Sequence, residues 1–587
     1  MRFVFAIVTF VLAFLLIGYG IAQRTIFAGP NHVTASVSLT SKAPVTVIDG
    51  KILNSNTGHQ TLEISGAKKI FVAYGRTADV QAWVGTAQYN KIGYYTAKTA
   101  LTDKVVRGKQ SGVPDPRGSD LWLDERSGVN TLSFTVNVPK GISVIIASDG
   151  KSAAPSEVAI RWPLDNRTPW SGPLVIAGVA LLLVGLGLYL WALYHLRKAR
   201  GPRRKSPKMP KLPKQRGYKP RRTKPPEITS GRRSARKRRM IAVVPVLLAG
   251  SLALSGCSSN AWPSFFGGAA ATPAATATAT PDDTSNQQAP AVTVPQLKQI
   301  IARVSAVAAK SDKTLDAALL ATRFDGPALQ LRTANYDIRK KDSTVAAMTA
   351  IPQGDVEVVL PQQSNVWPRT VFTVLVNPKD KTVSPVALML EQETPRDNYK
   401  VSYAMGLEAK VVLPKVASAA IGAPRLLQDN KLLMLPPEKI GAAYGDLLLK
   451  GPDSAFAKYF DTSNDRFAKN EGFAAKQARK AAMPDKSTVD YSNEQGVGES
   501  IALGTNNSGA IVAVSINQIE TVTPTEAGAS LNSSGLIKTL SGVTTTLKGL
   551  VTSYGDQLLF YVPKAGSSQK IVLLGDTDGI IAAKEKS

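Results

Sequence analysis

Cysteine is almost missing: Cys257 is the only one in 587 residues, so no intrachain disulfide can form and exported domains must be held by their own cores. Histidine is nearly as scarce. The three, His32, His59 and His195, leave none beyond residue 195, so the rest of the chain can build neither a Ser-His-Asp or Cys-His catalytic site nor a His-ligated zinc site. Acidic residues are lacking in one stretch. Residues 197–239 hold 20 Lys and Arg against the single acid Glu227, a charge of +19 in 43 residues, while the other 544 residues carry only +9 of the net +28. That distribution leaves no broad basic face to follow a phosphate backbone, and Tyr218 is the only ring in the basic stretch, so nucleic acid is not an expected partner.

What is present reads as a multidomain membrane protein. The length exceeds what one core can serve. Residues 1–29 contain Phe3 to Gln23, 21 residues without a charge, enough at about 1.5 Å per residue to cover a hydrocarbon layer of roughly 30 Å. We expect an N-terminal signal anchor, with a cleaved signal peptide as the alternative. Residues 170–196 form a second span, with Trp170 at one end and Trp191 and Tyr194 at the other, as aromatic belts require. The basic residues begin at Arg197, so the positive-inside rule puts that end in the cytoplasm and residues 30–167 outside.

Residues 197–239 interleave Lys and Arg with Pro and should form an extended cytoplasmic linker, able to contact anionic membrane lipids. Residues 240–257 follow as a short third apolar segment ending Leu254-Ser255-Gly256-Cys257. A basic start, a short apolar run and then Leu-Ser-Gly-Cys resemble a bacterial lipoprotein signal. The resemblance implies lipidation of the Cys257 sulfur and cleavage before it, small Ser255 and Gly256 admitting the peptidase; the alternative is a plain third transmembrane helix. Residues 258–294, with the run AAATPAATATATP at 269–281, read as a flexible tether.

Residues 30–167 carry short alternating runs such as Lys69-Ile70-Phe71-Val72-Ala73-Tyr74 and Ile142-Ser143-Val144-Ile145-Ile146, which predict an extracytoplasmic all-β sandwich. Trp83, Trp122 and Trp162 are expected in its core or at its edge. Residues 295–587 predict an extracytoplasmic α+β domain, separate from the sandwich. An amphipathic helix from Pro295 to about Thr322 precedes long strands at Val371–Val376, Val386–Glu391 and Tyr399–Ala404. The pattern recurs: helix from Leu447 to Met483, then strands at Ile511–Val514, Gln557–Val562 and Lys570–Leu574. Helix then curved sheet, twice, suggests two cystatin-like or NTF2-like halves. The whole arrangement, with the phrases Phe324-Asp325-Gly326-Pro327-Ala328 and Trp367-Pro368-Arg369-Thr370, resembles uncharacterised membrane proteins or lipoproteins of high-GC Gram-positive actinobacteria with an internal lipobox. That resemblance implies no activity, because the family is a domain of unknown function.

Asp576-Thr577-Asp578-Gly579 resembles the Asp-x-Asp element with which glycosyltransferases hold a metal and a sugar nucleotide; the plainer reading is a turn at a strand end. No Gly-rich nucleotide loop accompanies it, and no cofactor is expected. Asp124, Glu125, Glu391 and Glu393 are further carboxylates that a fold could bring together. The leading expectation is a non-catalytic protein of the cell envelope, membrane-anchored, binding another envelope protein or a cell-wall polymer. The rival is a glycan-acting enzyme using carboxylates, which a cleft with two of them about 5–10 Å apart would favour.

Lipidation at Cys257 makes the sharpest expectation. Wild type should incorporate labelled fatty acid and yield a lipidated fragment of residues 257–587, whereas Cys257→Ser should stay unlabelled and full length at 62.4 kDa. An unlabelled, full-length wild type would leave residues 240–256 as an ordinary membrane helix.

Overall fold

The computed structural model describes residues 2–164, 168–199, 288–377, 380, 382–409 and 411–587. The basic linker beyond Ala199, the third apolar segment with Leu254, Ser255, Gly256 and Cys257, and most of the tether lie outside the described residues. The chain divides into two compact units, Met1–Val33 with Trp162–Thr278, and Thr34–Arg161 with Ala279–Ser587.

In the first unit, helices α1 (Arg2–Thr25) and α3 (Ser171–Ala199) are both long and apolar enough to cross a membrane. Phe5, Leu15, Leu183 and Leu190 are exposed on them, unlike the apolar face of a buried core helix. The two run antiparallel, Gly185 against Phe10 and Gly20 against Val175. Close approach depends on small residues: a Cβ on Gly178 would meet Ile17 Cγ1 at 2.5 Å, and one on Gly20 would meet Val175 Cγ2 at 2.8 Å. Such contacts are how apolar helices associate where hydrophobicity supplies no drive between them.

Between the two apolar helices the chain forms eight strands, all but the outer ends of the first and last lying in the second unit: β1 (His32–Ser38), β2 (Val45–Ile48), β3 (Gln60–Arg76), β4 (Tyr89–Tyr95), β5 (Ala100–Val106), β6 (Asp124–Val136), β7 (Ile142–Ala147) and β8 (Glu157–Pro163). They were expected as a sandwich but join one nearly closed sheet, β1-β8-β3-β7-β2-β4-β5, with β6 on β3. The cause is β3. Its 17 residues pair with β6 along one edge, while β8 and β7 share the other. Gly66, at φ +87°, and the register shifts around Ala67 let this one strand serve both halves, as bulges do elsewhere, so the eight strands hydrogen-bond into one sheet instead of two. Helix α2 (Thr77–Val84) covers the core with Val80, Trp83 and Val84. Trp83 and Trp122 lie 5.5 Å apart, and both are buried, as is Trp162.

Residues 288–587 build a ten-stranded sheet in two lobes. The first lobe carries α4 (Val294–Thr314) and α5 (Gly326–Lys341) on β9 (Val356–Pro361), β10 (Arg369–Leu375), β11 (Val386–Gln392) and β12 (Lys400–Leu407). Thr293 starts α4 through a capping box with Gln296, the S/T-x-x-E/Q signature. The single helix expected to Thr322 stops at Thr314 because Leu315 turns left-handed. The second lobe has α6 (Pro437–Lys450), α7 (Arg466–Glu471) and α8 (Phe473–Ala481) on β13 (Phe460–Asp461), β14 (Ser487–Gln495), β15 (Ile501–Gly504), β16 (Ala510–Pro524), β19 (Leu550–Val562) and β20 (Ile571–Glu585), with β17 (Leu531–Asn532) and β18 (Thr545–Thr546) forming a small separate ribbon. The helical stretch expected from Leu447 to Met483 is interrupted: α6 ends before Gly451, whose φ is +57°, β13 intervenes, and α7 and α8 are parted at Gly472. The order β14-β16-β19-β20-β12-β11-β10-β9 joins the lobes through one short pair, Gly406–Asp576 and Leu407–Gly575. Each lobe packs its helices on one sheet face, and a third core shared by both lobes, with Phe372, Met389, Met405, Ile511, Leu559 and Leu574, lies on the other. Strands buried on both faces explain why β10 and β11 read as almost continuous apolar runs.

The strands of the N-terminal sheet from Thr34 to Arg161 and the two lobes fall in one compact unit. Asp120, buried, accepts from Arg303 Nη1 at 3.0 Å, from Arg323, and from the Tyr399 amide at 2.9 Å. Asp79 accepts from Arg76 Nε at 2.7 Å and from Arg369 Nη2 at 2.8 Å. Arg396 donates to the Trp83 and Val84 carbonyls at 2.9 and 3.0 Å, closing the C-terminus of α2, where a cation also suits the helix dipole. Removing one partner of a buried ion pair costs about 3–5 kcal/mol. Asp120→Ala should therefore lower the urea midpoint of the purified full-length protein and split one unfolding transition into two; an unchanged single transition would show that this carboxylate does not hold the parts together.

Candidate functional site

Strand alternation places Asp556 on the same face of β19 as Leu558, Phe560 and Val562, which form the helix-side core of the second lobe. A carboxylate at an inward position needs partners. Gln518 of β16 donates from Nε2 to Asp556 Oδ2 at 2.8 Å, and Lys476 of α8, also buried, donates to Gln518 Oε1 at 2.5 Å and to the Glu471 carbonyl. Asp556 Oδ1 is buried and has no hydrogen-bond partner. This lysine–glutamine–aspartate relay forms the floor of a cavity of about 190 Å³, whose walls are Glu471, Arg479, Tyr491, Ile519, Glu520, Tyr554 and Asp578.

Each element supplies its part for a local reason. The break at Gly472 ends α7 and restarts the chain as α8, which turns Lys476 towards the sheet while Arg479, one turn on, reaches Glu471 at 2.6 Å. The antiparallel ladders set Asp556 directly opposite Asp578 and Tyr491 opposite Glu520. Burial pushes the Asp556 carboxyl well above the carboxylate range, with Asp578 adding to it. Burial likewise raises Glu520 and Asp578, the latter also through Glu471 although it keeps solvent access. Burial lowers the Lys476 ammonium to about 8 and lifts the Tyr554 hydroxyl to about 12. The chamber therefore collects groups whose charged forms are disfavoured, an arrangement typical of functional sites.

The sequence candidates distribute as follows. Asp576 and Asp578 lie in the middle of β20, paired with Leu558 and Asp556; the turn expected there is overturned, because the apolar run of β20 continues through Ile580 and holds the ladder. Only Asp578 lines the chamber. Asp576 is raised to about 7, first by burial and then by Asp578 and Glu408. Among the described residues no group of three or more His, Cys, Asp or Glu could hold a metal ion, so the Asp-x-Asp pair gains no third ligand. Asp124, Glu125 and Glu391 are each engaged by a different arginine, Asp124 by Arg126, Glu125 by Arg303 and Glu391 by Arg425, Glu393 lies exposed just past β11, and none of the four lines the chamber. Cys257 and its three preceding lipobox residues lie outside the described residues. Lys476, Gln518 and Asp556 were missed by sequence reasoning. The available signal was Asp556 at an inward position two residues before the apolar triplet Leu558, Phe560, Val562.

A two-lobed α+β domain with a buried polar chamber in its second lobe is the class that fold and site define. Residues 288–585, just over half of the chain, match the family described as Domain of unknown function (DUF8094), and the chain belongs to it. No curated protein and no solved structure matches the chain.

The raised carboxyls fix a pH dependence. Asp576, with an ordinary value of 3.8 and a folded value of about 7, binds its proton more tightly when folded, so its contribution is complete below pH ~4 and is lost as pH rises towards 7, by up to about 1.4 kcal/mol per pH unit. Thermal melts of wild type should therefore fall in Tm between pH 4 and 7. Asp576→Asn should flatten that slope, and equal slopes in the two proteins would refute the assignment. Keeping below pH 8 leaves the Lys476 transition out of the measurement.

Proposed function

We propose that this chain is a non-catalytic binding protein of the bacterial cell envelope, held in the cytoplasmic membrane with both folded parts outside, and that its partner is an envelope protein or a cell-wall polymer. The carrying observation is the polar chamber with its unpartnered, buried Asp556 Oδ1, an acceptor that a bound group would satisfy. Two apolar helices packed antiparallel, with the basic run starting at Arg197, support the orientation. Cys257 as a lipid attachment, contacts of the basic linker with anionic lipids, and an actinobacterial origin belong to the same reading. So does the likeness of the lobes to cystatin or NTF2 folds, which the repeated order of helices then antiparallel sheet supports.

One observation favours a glycan-acting enzyme instead: two carboxyl-bearing residues, Asp556 and Asp578, stand opposite each other on adjacent strands, and a retaining glycosidase works with two carboxyls close together. Such an enzyme needs one carboxyl protonated and the other ionised. Here both are raised together. The cavity of about 190 Å³ also falls below the ~300–1,000 Å³ of ordinary small-molecule sites, admitting a small group but no sugar chain.

In intact cells, cysteines introduced as Ser38→Cys and Ser508→Cys should label with a membrane-impermeant thiol reagent while Ser206→Cys should not; labelling at Ser206→Cys would invert the orientation. Purification from native membranes through a tag after Ser587 should recover a specific envelope partner. Recovery of nothing beyond lipid and ribosomal background would count against the binding reading.

A further inference from the structure

The chamber in the second lobe is lined by four carboxyls, Glu471, Glu520, Asp556 and Asp578, against two cations, Lys476 and Arg479, so the carboxyls that burial keeps from ionising lack a counter-charge. Arg479 is committed to Glu471 at 2.6 Å, and Lys476 spends its protons on Gln518 and the Glu471 carbonyl. Among the described residues, Asp556 and Asp578 have no ion-pair partner. They face each other across the β19–β20 ladder, and Asp556 adds a fully buried oxygen with no hydrogen-bond donor. Two phenol rings, Tyr491 and Tyr554, complete the lining, and Lys476 Nζ already stands 5.7 Å from the Tyr491 centroid. Opposed carboxyls with flanking aromatic faces are the elements that recognise an ammonium, through charge-assisted hydrogen bonds and cation–π attraction.

We propose that the chamber of the second lobe is a binding site for a small primary amine, whose ammonium donates to Asp556 Oδ1 and Asp578 and lies against the rings of Tyr491 and Tyr554. This rests on the binding reading above and adds the ligand class. A neutral polyol meets the aromatic walls equally well but brings no counter-charge that would let the buried carboxyls ionise. A divalent ion is disfavoured by the absence of a third ligating group among the described residues. An ammonium supplies both the missing donor and the missing charge. The volume of about 190 Å³ limits the occupant to a short amine or to the amine end of a larger molecule.

The test is calorimetric titration of the full-length protein in detergent with ethanolamine and 1,3-diaminopropane, set beside ethylene glycol and glycerol as neutral counterparts. A short-chain phosphatidylethanolamine is the third arm. The amines should bind at least tenfold more tightly than the neutral compounds, and Asp556→Asn, which keeps the shape and cannot ionise against an ammonium, should weaken them at least tenfold. Should that variant fail to fold, Asp578→Asn at the solvent-accessible wall serves, with an expected loss of threefold or more. Binding of the free amines alone assigns a soluble ligand, and equal binding of the phospholipid assigns a headgroup; both support the site. Polyols that bind as tightly as amines, and are lost in Asp556→Asn, would overturn the amine assignment and leave the chamber a binding site. Amine affinity unchanged by both variants, or no heat from any compound, would overturn the site itself.

Discussion

The buried carboxylate of Asp120 is the contact on which the second unit depends. It draws Arg303 of α4, Arg323 before α5 and the Tyr399 amide before β12 onto a loop of the N-terminal sheet. Asp79 repeats the device with Arg369 of β10, whose guanidinium is fully buried and lies 3.6 Å from the Trp367 ring centroid. Burial lowers the Arg369 pKa, with Asp79 opposing that trend. Buried ion pairs are poor sources of net stability, since desolvation offsets much of the attraction. Their value is geometric. Each carboxylate accepts from fixed directions, so the pairing admits one register between sheet and lobe where apolar surfaces would tolerate several.

This explains the two phrases that carried the family likeness. Trp367-Pro368-Arg369-Thr370 packs Trp367 against the N-terminal core and sends Arg369 to Asp79. Phe324-Asp325-Gly326-Pro327-Ala328 follows Arg323 directly and starts α5 with Gly326 at φ +49°, a conformation that suits glycine. Both phrases therefore serve the joint between parts of the chain, and neither touches the chamber.

Legibility in the sequence followed the range of the interactions concerned. The apolar helices, the capping box at Thr293 and the strands around Val371 and Gln557 were visible because each depends on neighbours along the chain. The sheet in place of a sandwich was not, because it follows from β3 offering both edges to partners up to 100 residues away. The joint was equally hidden, since Asp120 and Arg323 are 203 residues apart and nothing local marks them. Asp576 and Asp578 looked like a turn because Asp and Gly are rare in strands. In β20 the ladder with β19 outweighed that preference and turned the carboxyls towards the helices.

That outcome bears on why the second lobe differs from the first. Both lobes set helices on one face of an antiparallel sheet, and in the first lobe that face is filled by Val371, Leu388, Val401 and Tyr336. In the second, the apolar packing of Tyr444, Phe460 and Phe560 stops at Leu558, and Asp556, Gln518 and Lys476 take over at the next inward positions. A sequence selected for stability alone would extend the apolar face, because replacing a buried polar network by well-packed hydrophobes is often neutral or stabilising. Retaining a buried lysine, a buried aspartate and an unpartnered oxygen beside a cavity breaks the local pattern without any structural gain visible in the lobe. Local rules are broken in this way chiefly where a site must be kept open, which makes the contrast between the lobes itself an argument that the second one binds something.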